Sequence, residues 1–344
     1  MNRFVLFLFA VWFVSNCSVG QPTGQNVSKV GTSAAAFLEI PVGARANGMG
    51  NAFVGTSDDV TSLYWNPSGI ARLVNREAMF SHTEWIADMK FDYAGLAVPL
   101  EGFGSLGVSF TSLTMDDMLV RTVERPEGTG EQFSAGSFAV GVHYARSLSD
   151  QFSIGVTVKY VSEHIWNMQT EAFAFDAGTL FKTNFLNGMR IGAAIYNFGT
   201  DMKLEGRDTR TFHPIDPNKQ GSNDRIPQNI ELDSWDLPLN FQFGIAVDAI
   251  KTDDHLLTVA VDALHPADNY ESLNVGGEYG FRGTFFIRGG YQSLFLTDGE
   301  GGLSAGAGIL ADLFGQNLRA RVDYAYTDFG RLKAVNILAI SILF

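Results

Sequence analysis

Apolar and polar positions alternate one by one along most of this chain. Phe138, Val140, Val142 and Tyr144 are separated by Ala139, Gly141 and His143. Phe152, Ile154, Val156, Val158 and Tyr160 are separated by Ser153, Gly155, Thr157 and Lys159. Phe241, Phe243, Ile245 and Val247 repeat the pattern, as do Val322, Tyr324 and Tyr326. A period of two puts each set on its own face of a β-strand. The alternation predicts strands near 77–86, 90–99, 104–114, 134–148, 151–165, 170–184, 188–198, 237–251, 254–264, 271–281, 283–292, 302–312, 317–329 and 332–344.

Runs such as 134–148 and 151–165 are too long for ordinary soluble strands, which average about 5–6 residues. A tilted membrane strand needs about 9–11. The count of about 14 is even, as single-chain bacterial barrels require. Connections near 101–103, 149–150, 251–253, 282 and 314–316 are tight, whereas those near 115–133, 199–236 and 293–301 are longer. Short periplasmic turns and long outer loops give that alternation. Met118 to Arg125 would break the parity as a strand and is assigned to a loop hairpin. Tyr144, Tyr160, Phe181, Tyr291 and Tyr326 gather near strand ends, where interface girdles belong. The chain ends in Ile340-Ser341-Ile342-Leu343-Phe344. A terminal aromatic on an amphipathic last strand, here Phe344, is the usual signal for barrel assembly. Sandwiches, propellers and solenoids also use long alternating strands but do not need these features together. The expected fold is all-β, a transmembrane antiparallel β-barrel of about 14 strands. Outer-membrane lipid and the barrel assembly machinery are its expected partners.

The N-terminus adds a destination. Met1-Asn2-Arg3 is a basic start, Phe4 to Val14 an apolar run, and Ser18-Val19-Gly20 a small-residue cleavage site. This is a secretory signal peptide. Cys17 offers lipidation as a rival reading, but Asn16 is bulkier than a lipidation site wants. The expected divisions are a signal peptide at 1–20, an N-terminal segment at 21–76 and a barrel at 77–344. The expected location is the bacterial outer membrane.

Composition excludes more than it adds. The net charge of −13 argues against nucleic acid. With 46% hydrophobic residues and no second apolar run of membrane-helix length, the apolar residues must be spread over strand faces. Cys17 is the only cysteine, so no disulfide framework is possible. The six histidines show no metal-ligand spacing. No metal, cofactor or catalytic residue is expected. His143 falls on the lumen face, where it could form half of a lipase-type Ser–His pair, but no Gly-x-Ser-x-Gly motif accompanies it. A histidine in a polar lumen network is the preferred reading. Lys159, Asp176, Arg190, Asp248, Asp262, Arg288, Arg319, Arg321 and Asp323 share that face. Buried charges must pair, so an ion-pair network holding register and segment is preferred over a polar substrate path. On the 199–236 loop, Arg207, Arg210, His213, Pro214, Pro217, Pro227 and Trp235 suit partner binding or a solvated cover equally.

The stretch ARANGMGNAFVGTSDDVTSLYWNPSGIA, from Ala44 to Ala71, does not alternate. Its glycines do not follow a strand and open a helix, so a dinucleotide loop fails on context. The expected form is an extended glycine-rich piece, a short helix started by Asp58 and Asp59, and a turn at Pro67. Its natural place is inside the lumen. The stretch resembles the N-terminal signature of the FadL-like superfamily of outer-membrane proteins, closest to the PorV/PorQ (UPF0164-type) branch. Arg45, Gly48, Met49, Gly50, Asp58, Asp59, Tyr64, Trp65, Asn66, Pro67, Ser68 and Gly69 carry the likeness, with Ser68 where the superfamily often has Ala. The resemblance implies a 14-stranded barrel with an N-terminal hatch. It also implies a role in protein export or surface assembly through type IX secretion, with secreted cargo proteins or other secretion components as partners. The alternative it leaves open is a FadL-type channel for hydrophobic small molecules.

Overall fold

Fourteen antiparallel strands close into one barrel. The structure, a computed structural model, describes residues 30–213, 226–296, 299–313 and 318–344. The expected signal peptide and Cys17 lie outside them. The strands are β1 (Glu77–Glu84), β2 (Lys90–Leu100), β3 (Gly104–Thr114), β4 (Ala135–Ser147), β5 (Phe152–Ile165), β6 (Met168–Lys182) and β7 (Arg190–Gly199). They continue as β8 (Asn240–Lys251), β9 (His255–Pro266), β10 (Ser272–Phe281), β11 (Phe285–Leu294), β12 (Leu303–Leu313), β13 (Leu318–Asp328) and β14 (Ala334–Leu343). Each pairs with its sequence neighbours, and β1 pairs with β14 from Glu77↔Leu343 to Glu84↔Asn336. Closure leaves no strand edge, which the hydrocarbon layer demands, because it offers no hydrogen bonds to free backbone groups.

The sequence alternation sets the two faces. Phe110, Val142, Val156, Phe175, Ile245, Val261 and Ile340 point outward and are exposed. On the same strands Thr111, His143, Thr157, Asp176, Ala246, Asp262 and Ser341 point inward and are buried. A soluble sheet would do the reverse. A belt of exposed apolar side chains around a polar, filled interior fits a membrane barrel. No helix among the described residues is long and apolar enough to cross a membrane.

The connections at 101–103, 148–151, 252–254 and 282–284 lie at the end of the barrel where β14 finishes. The opposite end carries 115–134 and the described parts of the connections 200–239 and 295–302. Met118–Leu119 pairs with Gln132–Phe133 inside the first of these long loops, so Met118 to Arg125 adds no barrel strand. In the longest loop Arg210–His213 pairs with Ile226–Asn229, and Met202 pairs with Trp235. Pro214 and Pro217 lie outside the described residues.

The chain before β1 runs from the long-loop end into the barrel. The Ser33 hydroxyl donates to Asp268, the Ala34 amide to the Asp236 carbonyl (2.8 Å) and the Ala35 amide to Glu163 (3.1 Å). Residues 41–72 then lie against the inner face. At the other end Arg72 donates to the Gln151 carbonyl at 2.8 Å. One detail departs from the sequence reading. The stretch Ala44–Gly48 is a one-turn helix, α1, not an extended piece. Gly43, at φ 84°, turns the chain into it, and Asn47 ties it back by donating to the Gly43 and Pro41 carbonyls. At the start of the second helix, α2 (Ser62–Trp65), Asp59 accepts the Thr61 amide through Oδ1 at 2.9 Å, while its other oxygen and Asp58 are held by Arg45.

Candidate functional site

Pro67 ends one helix and begins the next. Its ring forbids the α region for Asn66, which sits extended at φ −167° and stops α2 at Trp65. Pro67 then takes the first position of a 3-10 turn, where its missing N–H costs nothing. Asn66 caps that turn by accepting from the Ser68 amide (3.2 Å) and hydroxyl (2.6 Å). Its amide nitrogen donates to the Val54 carbonyl (3.1 Å) and to the Thr179 carbonyl of β6 (3.0 Å). One side chain thus closes the segment on itself and fastens it to the wall. Trp65 donates to the Val42 carbonyl at 3.0 Å, Tyr64 to the Leu38 carbonyl at 3.0 Å, and Tyr196 of β7 to the Trp65 carbonyl.

Backbone meets backbone where the wall has no side chains. A Cβ on Gly276 or Gly290 would collide with the backbone of Met49 and Gly50. A Cβ on Gly155 or Gly178 would collide with Pro67 or Asn66, and one on Gly192 with the Val54 carbonyl. Gly50 meets the same wall from inside, with φ 61° and space for no Cβ beside the Tyr291 amide. Glycine at these inward positions is what lets the segment touch the strands.

The charges gather around Arg45. Its guanidinium makes a two-point bond to Glu278 of β10, at 2.9 and 2.7 Å, and donates to Asp58 and to Asp59 (2.8 Å). Arg288 of β11 bonds the same Glu278 at 2.6 Å and Asp323 of β13 at 2.8 Å. Arg321 forms an ion pair with Asp323 at 2.9 Å and lies 3.7 Å from both Asp59 and Glu278. Three cations therefore face four carboxylates, joining the segment to three strands. Phe53 lies under Arg45, and Phe286 lies under Arg288 and Arg321. Burial alone would lower the Arg45 pKa, but Asp58, Glu278 and Asp59 raise it well above its ordinary value. Burial likewise works to raise Asp59, but Arg45 and Arg321 win and hold it low.

The other expected lumen charges form separate groups. Lys159 pairs with Asp176 at 2.8 Å, and Asp176 accepts the Asn197 amide at a bulge between β6 and β7. Arg190 pairs with Asp248 at 2.9 Å. Asp262 is fully buried and accepts the Val54 amide at 2.8 Å. Arg319 shares the inward parity but makes no ion pair with a described residue. His143 is buried between the hydroxyls of Ser109 (2.8 Å) and Thr157 (2.7 Å). A hydroxyl thus stands where a catalytic triad places a carboxylate. Among the described residues no three metal-ligating side chains converge.

Above the segment, toward the long loops, lies a cavity of about 460 Å³. Leu38, Pro41, Leu63 and Tyr64 of the segment line it from below, and Trp85 and Phe329 stand at its mouth.

The sequence from residue 23 to residue 265 matches the family described as type IX secretion system protein PorV. The chain belongs to the PorV family. No curated protein sequence matches it. Solved structures show the same barrel. A FadL homologue of Pseudomonas aeruginosa shares 12% identity over 87% of this chain and 97% of that one, at TM-score 0.50. The Ralstonia pickettii toluene transporter TbuX shares 10% over 88% and 97%, at 0.53. The P. putida toluene transporter TodX shares 9% over 88% and 96%, at 0.52. At such identities the likeness is one of fold: this member of the PorV family shares the barrel architecture of those proteins.

Two residues escaped the sequence reading. Glu278 is the centre of the charge cluster, and its signal was present: it alternates with outward Gly277 and Tyr279 in a strand otherwise free of charge. Glu77, at the start of β1, accepts the Val60 amide at 2.9 Å. Nothing in its spacing distinguished it from a solvated residue before a strand.

Proposed function

We propose that this protein is a non-enzymatic outer-membrane component of type IX export that receives secreted proteins on its loop-bearing face. The PorV match over residues 23–265 carries the reading. Residues 41–72 act as a hatch. They occupy the lumen, and a folded cargo is in any case far wider than a 14-stranded barrel. Contacts with cargo or with other secretion components therefore belong on the outer loops. The 200–239 loop supports this. Its Phe212, Ile230 and Trp235 are exposed apolar side chains held on paired backbone. Exposed aromatics on a rigid base are the usual anchors of a protein interface.

The test is a detergent pull-down with the loop shortened between Lys203 and Asp233. The barrel should still assemble, because the deletion spares every barrel strand. Recovery of secreted proteins or secretion components should fall. Unchanged recovery would move the contact elsewhere and remove the support this loop gives.

A further inference from the structure

The cavity above the segment has two unlike surfaces. Its base and mouth are apolar: Leu38, Pro41 and Tyr64 below, Trp85 and Phe329 at the rim. The Tyr64 ring is fixed by its bond to the Leu38 carbonyl, and Trp85 and Phe329 hold each other edge to face, 5.5 Å apart. One wall, built by β8, β10 and β11, is lined instead by the side-chain amides of Asn240, Gln242, Asn274 and Gln292, with Asn51 of the segment beside them. Asn51 and Gln242 are more than nine-tenths buried, and each keeps an amide oxygen to which no protein group donates, as does Asn240. Buried amides without partners are costly, and a hydrocarbon would leave them so.

Charge narrows the choice. Lys159 at the cavity is already paired with Asp176, and Glu300 with Arg331. Glu39 also lines the cavity and has no ion-pair partner among the described residues. No free cation among the described lining residues awaits a fatty-acid carboxylate or a phosphate. A ligand here therefore carries no acid group, has donors and acceptors along one edge, and shows an apolar face on the other. A pyranose ring does this, with hydroxyls that both give and accept around its rim and C–H bonds across its face. A peptide strand offers its groups in a line, whereas these amides are spread over three strands of a cup. The volume of about 460 Å³ falls in the ordinary range for ligand sites, about 300–1,000 Å³.

We propose that this cavity binds the end of a neutral saccharide, with the free amide oxygens of Asn51, Asn240 and Gln242 taking its hydroxyls and the aromatic rim its apolar face. The proposal does not rest on the export role. Saturation-transfer NMR on the full-length barrel in detergent tests it. The probes are the methyl glycosides of glucose, mannose, galactose and N-acetylglucosamine, with toluene and N-acetyl-triglycine amide as rivals. At least one glycoside should show saturable transfer and bind more tightly than either rival. Gln242→Leu and Asn240→Leu should each weaken it by about tenfold, in preparations that retain the heat-dependent shift of a folded barrel. Free reducing sugars form a further arm: binding of methyl glycosides alone assigns a chain end, and binding of both assigns a soluble sugar. The proposal is overturned if no glycoside binds, if toluene or the peptide binds more tightly, or if folded variants bind as well as the wild type. Should the variants not fold, the ranking of the three probe classes on the wild-type protein decides.

Discussion

Arg45 and Glu278 lie 233 positions apart in sequence and meet in a two-point ion pair inside the barrel. Glu278 also holds Arg288, and Arg45 also holds Asp58 and Asp59. The pair is therefore the joint between segment and wall. Arg45→Ala would leave Glu278 and the largely buried Asp59 with too few cations, and the exposed Asp58 without its partner. Breaking such a cluster costs about 3–5 kcal/mol. The variant should lose its folded band in unboiled SDS gels at a clearly lower temperature than the wild type. Arg45→Lys should fall between, because an ammonium cannot make the two-point bond. An unchanged transition in Arg45→Ala would mean that the cluster does not hold the segment.

The glycine contacts make a second prediction. Gly276→Leu places a side chain where the Met49 backbone lies, so the segment must move or the wall must bend. Single cysteines at Met49 and Ser68 should react slowly with a bulky thiol reagent in intact cells. Adding Gly276→Leu should speed labelling at Met49 more than at Ser68, whose wall contacts are on β5 and β6. Fast labelling at both sites without the substitution would show a free segment.

Acidity should bear on the N-terminal segment in two opposed ways. Desolvation by surrounding protein, and then the nearby Asp268 carboxylate, push Glu39 up to about 7 from 4.5. A raised carboxyl binds its proton more tightly in the folded state. Its stabilising contribution is full below pH 4.5 and is lost as pH rises through 7. Asp59 is held below 3.8, so its contribution is present above that value and lost in stronger acid. The wild type should melt higher at about pH 5 than at about pH 8, and Glu39→Gln should reduce that difference. Melting followed by tryptophan fluorescence decides it. An equal difference in both proteins would remove Glu39 as the cause.

Most of the barrel was legible because alternation is a strict rule. A one-residue slip in any strand would turn His143, Asp176 or Asp248 toward lipid, so polar residues marked the inner face unambiguously. Strand ends were less legible. Arg190 and Asn240 begin their strands a few residues beyond the expected starts, since loop residues such as Leu237 and Leu239 are as apolar as strand residues. The one-turn helix at Ala44 was missed because five residues are too few to show a period. Arg45 was recognised from its motif. Glu278 stands out locally as the one charge in its strand, but its pairing with Arg45 across 233 positions has no local signal. The amide wall of the outer cavity was invisible for the same reason, being assembled from three strands.

The loop face gives a fourth expectation. Trp235→Ala should leave the folded band unchanged, as the residue is half exposed and its pairing to Met202 is through backbone. It should weaken recovery of a bound partner protein by about tenfold or more if Trp235 is an anchor. Equal recovery would place the contact on another loop.

The central claim, that this barrel serves export, is met most directly by deleting the chain and measuring surface display of several secreted proteins alongside uptake of long-chain fatty acids. Display should be lost while uptake stays unchanged. Unchanged display with reduced uptake would contradict the claim and assign the barrel to passage of hydrophobic molecules.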